Sequence, residues 1–151
     1  SNLRRQRQMC IRDSLYTDPH DAARTVLAEG LIRLGVISQS LDEALDPETG
    51  DLRKWYMHNT SHWIGLDVHD AGVYKPGGTP RVLEPGMCLT IEPGLYFGAW
   101  RPDVDCPERY ANIGIRIEDD VLITTDGPVV LTADCPKSID DIENIVGQDL
   151  A

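Results

Sequence analysis

The period of the apolar positions changes along this chain. Ala22, Ala23, Val26, Leu27, Gly30, Leu31 and Leu34 recur three and four residues apart, which predicts an amphipathic helix with a core-packing stripe. Asp18 stands where it can cap that helix, Pro19 suits its first position, Asp21 complements its dipole, and Gly35 is a stop. A second short helix is expected from Ser40 to Leu45, ending before Pro47, with 46–53 as a loop. From Val82 onward the pattern becomes strand-like. Met87, Leu89 and Ile91 alternate with Cys88, Thr90 and Glu92 as far as Pro93-Gly94, the period of a strand. The polar stretch 99–109, with Pro102 and Pro107, reads as an inserted loop. Ile113, Ile115 and Ile117 then alternate with Gly114, Arg116 and Glu118. Asp119-Asp120 is expected to turn the chain into Val121–Thr124, and Asp126-Gly127 is a second turn signal. A short amphipathic helix over 139–146 ends the pattern.

Composition narrows the function classes. The chain has 151 residues, 41% of them apolar, enough for one domain with a core. No apolar run approaches the roughly 18–20 residues that span a bilayer. The net charge of −11 argues against a nucleic-acid surface, which needs clustered Lys and Arg. Cys10, Cys88, Cys106 and Cys135 are far apart in sequence and form no C-x-x-C, so reduced thiols in a cytoplasmic protein are expected. Arg4, Arg5, Arg7 and Arg12 concentrate basic charge in the first fourteen residues. Residues 1–14 therefore read as a disordered or non-native leader, and 15–151 as the folded part.

The candidate chemistry lies in three places. His58, His62 and His69 fall within twelve residues of one another. The His58/His62 spacing matches that of a zincin helix, but position 59 is Asn, so the general-base Glu of H-E-x-x-H is absent. Gly65 also disfavours a long helix there. Glu92 and Glu118 each follow an isoleucine in a strand-like run. Strand parity puts Glu92 with Thr90, and Glu118 with Arg116, on faces opposite the isoleucines. With the isoleucines turned to the core, both carboxylates would enter a more polar space. One His and two Glu converging there would suit Mn(II), Fe(II), Co(II) or Zn(II).

These residues lie in four ordered blocks: 60–70 (TSHWIGLDVHD), 83–87 (LEPGM), 90–96 (TIEPGLY) and 114–119 (GIRIED). Together they resemble the pita-bread metallopeptidases and, within them, the aminopeptidase P family. The resemblance implies an α+β pita-bread fold, here incomplete, with a curved antiparallel sheet and flanking helices. It implies that His62 binds one metal, that Glu92 binds it too and transfers protons, and that Glu118 bridges two metals. His69 would steady the reacting carbonyl, His58 would line the pocket, and Arg116 would support the carboxylates from behind. The implied reaction is hydrolysis of an N-terminal Xaa-Pro bond with two divalent ions, Mn(II) being expected. The implied partner is a peptide with proline in second position, and a homo-oligomer is compatible.

The family's pattern also includes two aspartates from an earlier strand pair, and no matching segment precedes the Asp18 helix. Asp103 and Asp105 fall in the insert between the two Glu blocks. Two divalent cations carry +4 against −2 from Glu92 and Glu118, a costly imbalance to bury. The chain on its own is therefore expected to be a C-terminal catalytic portion without activity. The alternatives are a prolidase, which is restricted to dipeptides, and a non-catalytic module of the same fold that binds peptides.

Overall fold

The computed structural model describes residues 14–98 and 101–147. Apart from Ser14, whose carbonyl accepts the Leu83 N–H at 2.8 Å, the expected leader lies outside them. Helix α1 spans Asp18–Arg33. Asp18 does not cap it. Thr17 occupies the capping position without a side-chain bond, and the Asp18 carboxylate instead accepts the N–H of Leu15 at 2.8 Å. The C-terminus closes as expected on Gly35, at φ +70°. Gly35 N–H reaches the Ile32 carbonyl, and Val36 N–H reaches that of Leu31, which satisfies two orphan acceptors. Helix α2, Leu41–Leu45, carries a capping box between Ser40 and Glu43, two reciprocal bonds that make so short a helix viable. Within the expected loop 46–53, Asp51–Lys54 winds into a 3-10 turn.

The strands are β1 (Cys88–Ile91), β2 (Gly94–Tyr96), β3 (Gly114–Arg116), β4 (Asp119–Thr124) and β5 (Gly127–Val130). Helix α3 spans Ile139–Ile145. All strand pairings are antiparallel: β1 with β4, β4 with β5, and β2 with β3. Asp119 and Asp120 do not turn the chain; they pair with Ile91 and Thr90 inside the ladder. The interruption falls earlier, at Ile117-Glu118, opposite Glu92-Pro93. Proline has no N–H to donate, and only the bond from Ile117 N–H to the Pro93 carbonyl, at 3.1 Å, crosses the gap. Two short ladders thus follow one another in the same register across this gap. Between Val82 and β1 the chain is not yet strand, and it turns through Gly86 at φ +96°.

One face of the sheet is apolar along its length but unevenly covered. Around β1 and β4, Leu89, Val121 and Ile123 are buried with Trp63 and Leu83. A second cluster joins α1 and α2 to Trp55, Tyr56 and Phe97. At the β2–β3 end the expectation of a closed core fails: Ile113, Ile115 and Ile117 are 44%, 61% and 42% exposed. With Val26 and Leu27 of α1 and Leu34 just beyond it, they line an open apolar cavity of about 720 Å³. The helix therefore presents two apolar sides, and only the one bearing Ala28 and Leu31 is sealed.

This asymmetry is measurable. Leu89→Ala leaves a void in a closed core and should cost about 2–5 kcal/mol. Ile115→Ala removes atoms that already face solvent and should stay within about 0.5 kcal/mol. Urea denaturation of the two variants checks the difference; equal losses would contradict the uneven cover.

Candidate metal centre

His62 is positioned by backbone before its side chain comes into play. Residues 60–64 run antiparallel along the free edge of β1. Glu92 N–H reaches the Thr60 carbonyl at 2.8 Å, Thr90 N–H that of His62 at 3.0 Å, and Ile64 N–H that of Cys88 at 3.1 Å. Imidazole Nδ1 lies 3.0 Å from the Trp63 carbonyl oxygen. A carbonyl can only accept, so the proton sits on Nδ1 and Nε2 is left to face inward. There Nε2 stands 3.1 Å from Glu92 Oε1.

Glu92 is a carboxylate only 7% exposed, a state that costs heavily unless it is paired and hydrogen-bonded. Its Oε1 accepts the Thr90 hydroxyl at 2.9 Å. Its Oε2 accepts Arg116 Nη1 at 3.0 Å. Thr90, wholly buried, also accepts the His62 N–H at 3.0 Å. Glu118 is exposed and lies opposite Glu92 at the gap. His62, Glu92 and Glu118 each offer a ligand atom, and these atoms lie within 4.8 Å of one another. The structure thus brings together the three residues that parity and resemblance single out.

The donor set fits a divalent metal. His62 Nε2 faces the Glu92 carboxylate, and a carboxylate oxygen of Glu118 lies within 4.8 Å of the ligand atoms of both. One imidazole nitrogen with two carboxylates suits a hard or borderline ion.

A polar chain leads outward from Glu92. Arg116 Nε donates to Tyr96 Oη at 2.6 Å, and Tyr96 Oη lies 3.0 Å from His58 Nε2. The bond to Tyr96 is the largest cause raising the Arg116 pKa, so the guanidinium stays charged beside Glu92. His58 is therefore separated from the three ligand atoms by Tyr96 and Arg116. Its ring meets Tyr56 and Tyr96 edge-on. His69 is exposed and packs edge-to-face on His62, with centroids 4.2 Å apart. The loop between the two histidines is pinned by Asp70, whose carboxylate accepts the N–H groups of Leu66 and Ala71. A Cβ on Gly65 would stand 1.7 Å from Asp70 Oδ2, so the tight loop requires glycine there. No helix crosses 58–62, in keeping with the rejected zincin spacing.

Tyr96, Thr60 and His20 carry contacts that sequence reading left without a role. The buried Thr60 hydroxyl lies 2.9 Å from His20 Nδ1 and also bonds Tyr56 Oη. Burial is the main cause raising the Tyr56 pKa, which keeps that phenol protonated. Tyr96 follows Glu92 by four residues and shares its strand face, but no local pattern shows that Arg116 links the two. His20 lies on α1, and no local pattern ties it to residue 60.

Solved structures are similar to this chain in fold. The chain superposes on aminopeptidase PepP of Pseudomonas aeruginosa with a TM-score of 0.84 and 39% identity, over 92% of this chain and 30% of that one. Aminopeptidase P from Escherichia coli in a low-pH form gives a TM-score of 0.79 and 40% identity, over 94% and 31%. The fold is pita-bread, with mixed helices and antiparallel sheet. The profile of metallopeptidase family M24 matches residues 5–125, and the chain belongs to that family. It is 46% identical over 121 residues to the Xaa-Pro aminopeptidase of Escherichia coli K12, covering 80% of this chain and 26% of that protein. It is 45% identical over 129 residues to Xaa-Pro aminopeptidase 1 of Streptomyces coelicolor, covering 85% and 26%. The chain thus spans 26% of the length of these two curated relatives.

Thr90→Val keeps the shape but removes the donor to Glu92 and the acceptor for His62 N–H. It should destabilise the protein by about 1–3 kcal/mol, whereas Thr90→Ser, which retains the hydroxyl, should lose clearly less. Denaturation midpoints of both variants test this; an unaffected valine variant would show that the hydroxyl is not needed.

Proposed function

We propose that this chain carries the proline-directed peptidase chemistry of aminopeptidase P, hydrolysis of the bond between an N-terminal residue and a following proline. His62, Glu92 and Glu118 would hold divalent metal, with Mn(II) as the ion and two ions when the full ligand set is present. The convergence of those three ligand atoms within 4.8 Å carries the reading, and the identity to Xaa-Pro aminopeptidases supports it. Among the described residues no helix is long and apolar enough to cross a membrane. Cys88, Cys106 and Cys135 are free thiols, in keeping with a reducing, cytoplasmic setting.

When bound, the metal pair would supply Lewis acidity that makes water a better nucleophile and polarises the scissile carbonyl. The chain's own residues do the remainder. Glu92 takes a proton from the attacking water and returns it to the departing proline nitrogen. The water oxygen joins the carbonyl carbon, the C–N bond breaks, and the proton ends on that nitrogen. Arg116 holds Glu92 in place, itself braced by Tyr96. His69, on the exposed side of His62, meets the substrate carbonyl oxygen, and His58 lines the pocket beyond Tyr96.

Two outcomes test this. Mn(II) binding to the 151-residue chain, followed by electron paramagnetic resonance, should be abolished in His62→Ala and weakened about 10–100-fold in Arg116→Ala, the scale for residues that orient ligands. Undiminished binding in His62→Ala would overturn the site. The chain by itself, with −2 of ligand charge for +4 of metal, should not turn over an Xaa-Pro-Xaa tripeptide with Mn(II). A version joined to the Asp-bearing upstream half of a relative should. Comparable rates from the two proteins would show that no further ligands are needed.

A further inference from the structure

A second pocket, about 420 Å³ in volume, is linked to the metal centre through the hydrogen-bonded chain of His58, Tyr96 and Arg116. His58 joins the two: it forms part of the pocket wall and also contacts Tyr96 Oη. Arg24 of α1, Arg53 of the 3-10 turn, His20 and Asp46 line the same pocket. Both guanidiniums are tethered to backbone, Arg24 Nη2 to the Leu45 carbonyl and Arg53 Nη1 to the Glu48 carbonyl. A guanidinium has five N–H donors, so each tether fixes the fork and leaves donors and charge available.

Asp46 is the acidic residue of this wall, and its Oδ1 is turned to the chain. It accepts the Glu48 N–H at 2.9 Å, the Thr49 N–H at 2.7 Å and the Thr49 hydroxyl at 2.8 Å. Two guanidiniums against one carboxylate leave a net positive pocket on a chain whose total charge is −11. His20 registers the field: its pKa is lowered by burial and then by the charge of Arg24.

We infer that this pocket is a carboxylate-binding subsite for the part of a peptide substrate beyond the scissile bond. The inference rests on the reading of His62, Glu92 and Glu118 as the catalytic centre. The ligand group is the peptide's C-terminal carboxylate or an acidic side chain near it. Arginine forks match the two oxygens of a carboxylate, and the volume falls in the range of small-ligand sites. A peptide held at the metal ligands enters the pocket past His58, the side chain common to both.

The test uses the 151-residue chain and nuclear magnetic resonance of the Arg24 and Arg53 Nε–H groups. The probes are Ala-Pro-Ala, its C-terminal amide and Ala-Pro-Asp amide, each with and without Zn(II). At least one carboxylate-bearing peptide should shift both signals and bind about fivefold tighter than Ala-Pro-Ala amide, the upper end for a partly exposed ion pair. An advantage for Ala-Pro-Ala assigns the terminal carboxylate, and one for Ala-Pro-Asp amide assigns the side chain. Arg53→Gln and Arg24→Gln should each bring the ratio close to one. Arg24→Gln also removes a bond to α2, so the exposed Arg53 keeps the result independent of folding. Equal binding of all three peptides, absence of any shift, or a preference that survives both substitutions would overturn the subsite. Failure of metal binding at His62 would instead sink the catalytic centre, and the acid–amide comparison in the zinc-free chain would still be readable.

Discussion

A buried carboxylate governs this structure. Glu92 has almost no contact with solvent, and a carboxylate in that position must be compensated on both oxygens. Thr90 and His62 meet one oxygen, and Arg116 meets the other. Each partner is then held by something further out: Thr90 by the His62 backbone, Arg116 by Tyr96, and Tyr96 by His58. The positions of the surrounding polar side chains follow from the need to keep one negative charge in place.

The gap in the ladder at Pro93 leaves that charge room to act. The register of β1 with β4 continues unchanged into β2 with β3, so Glu92 stands opposite Glu118. The missing proline N–H interrupts the ladder there, and a single backbone bond, from Ile117 to Pro93, crosses it. His62 enters from a third segment, 60–64, fastened along the free edge of β1 by backbone bonds and by the Thr90 hydroxyl. Three ligands from three separate segments meet because backbone hydrogen bonds are obligatory and directional. This is the arrangement expected of a preorganised centre. The neighbouring positive pocket depends on the same economy, since its guanidiniums are fixed by carbonyls that α2 and the loop after it leave unpaired.

Much of the local structure was legible in the residues. The Gly35 stop, the short helix after Ser40 and the Asp126-Gly127 turn all rest on interactions among near neighbours, which sequence displays directly. Parity correctly separated Glu92 and Arg116 from the isoleucines that line the apolar cavity. The errors have equally specific causes. Asp18 was read as a cap because its residue type favours one, but its carboxylate found Leu15. Asp119-Asp120 looked like a turn because acidic pairs favour turns, but pairing with β1 held both in the ladder, a case of tertiary contact overriding propensity.

The sequence by itself determined the period of each element, the residue types able to bind metal and, through four ordered blocks, the family. These are properties of short stretches, where neighbours along the chain are also neighbours in space. Only the tertiary structure decided that His62, Glu92 and Glu118 share one point, that Tyr96 stands between His58 and Arg116, and that the isoleucine face is left open at one end. Those facts depend on contacts between residues 20 to 60 positions apart, whose formation is settled by which strands pair and which face a helix seals. Nothing in a local pattern encodes that choice; the competition between burying apolar surface and satisfying buried polar groups makes it.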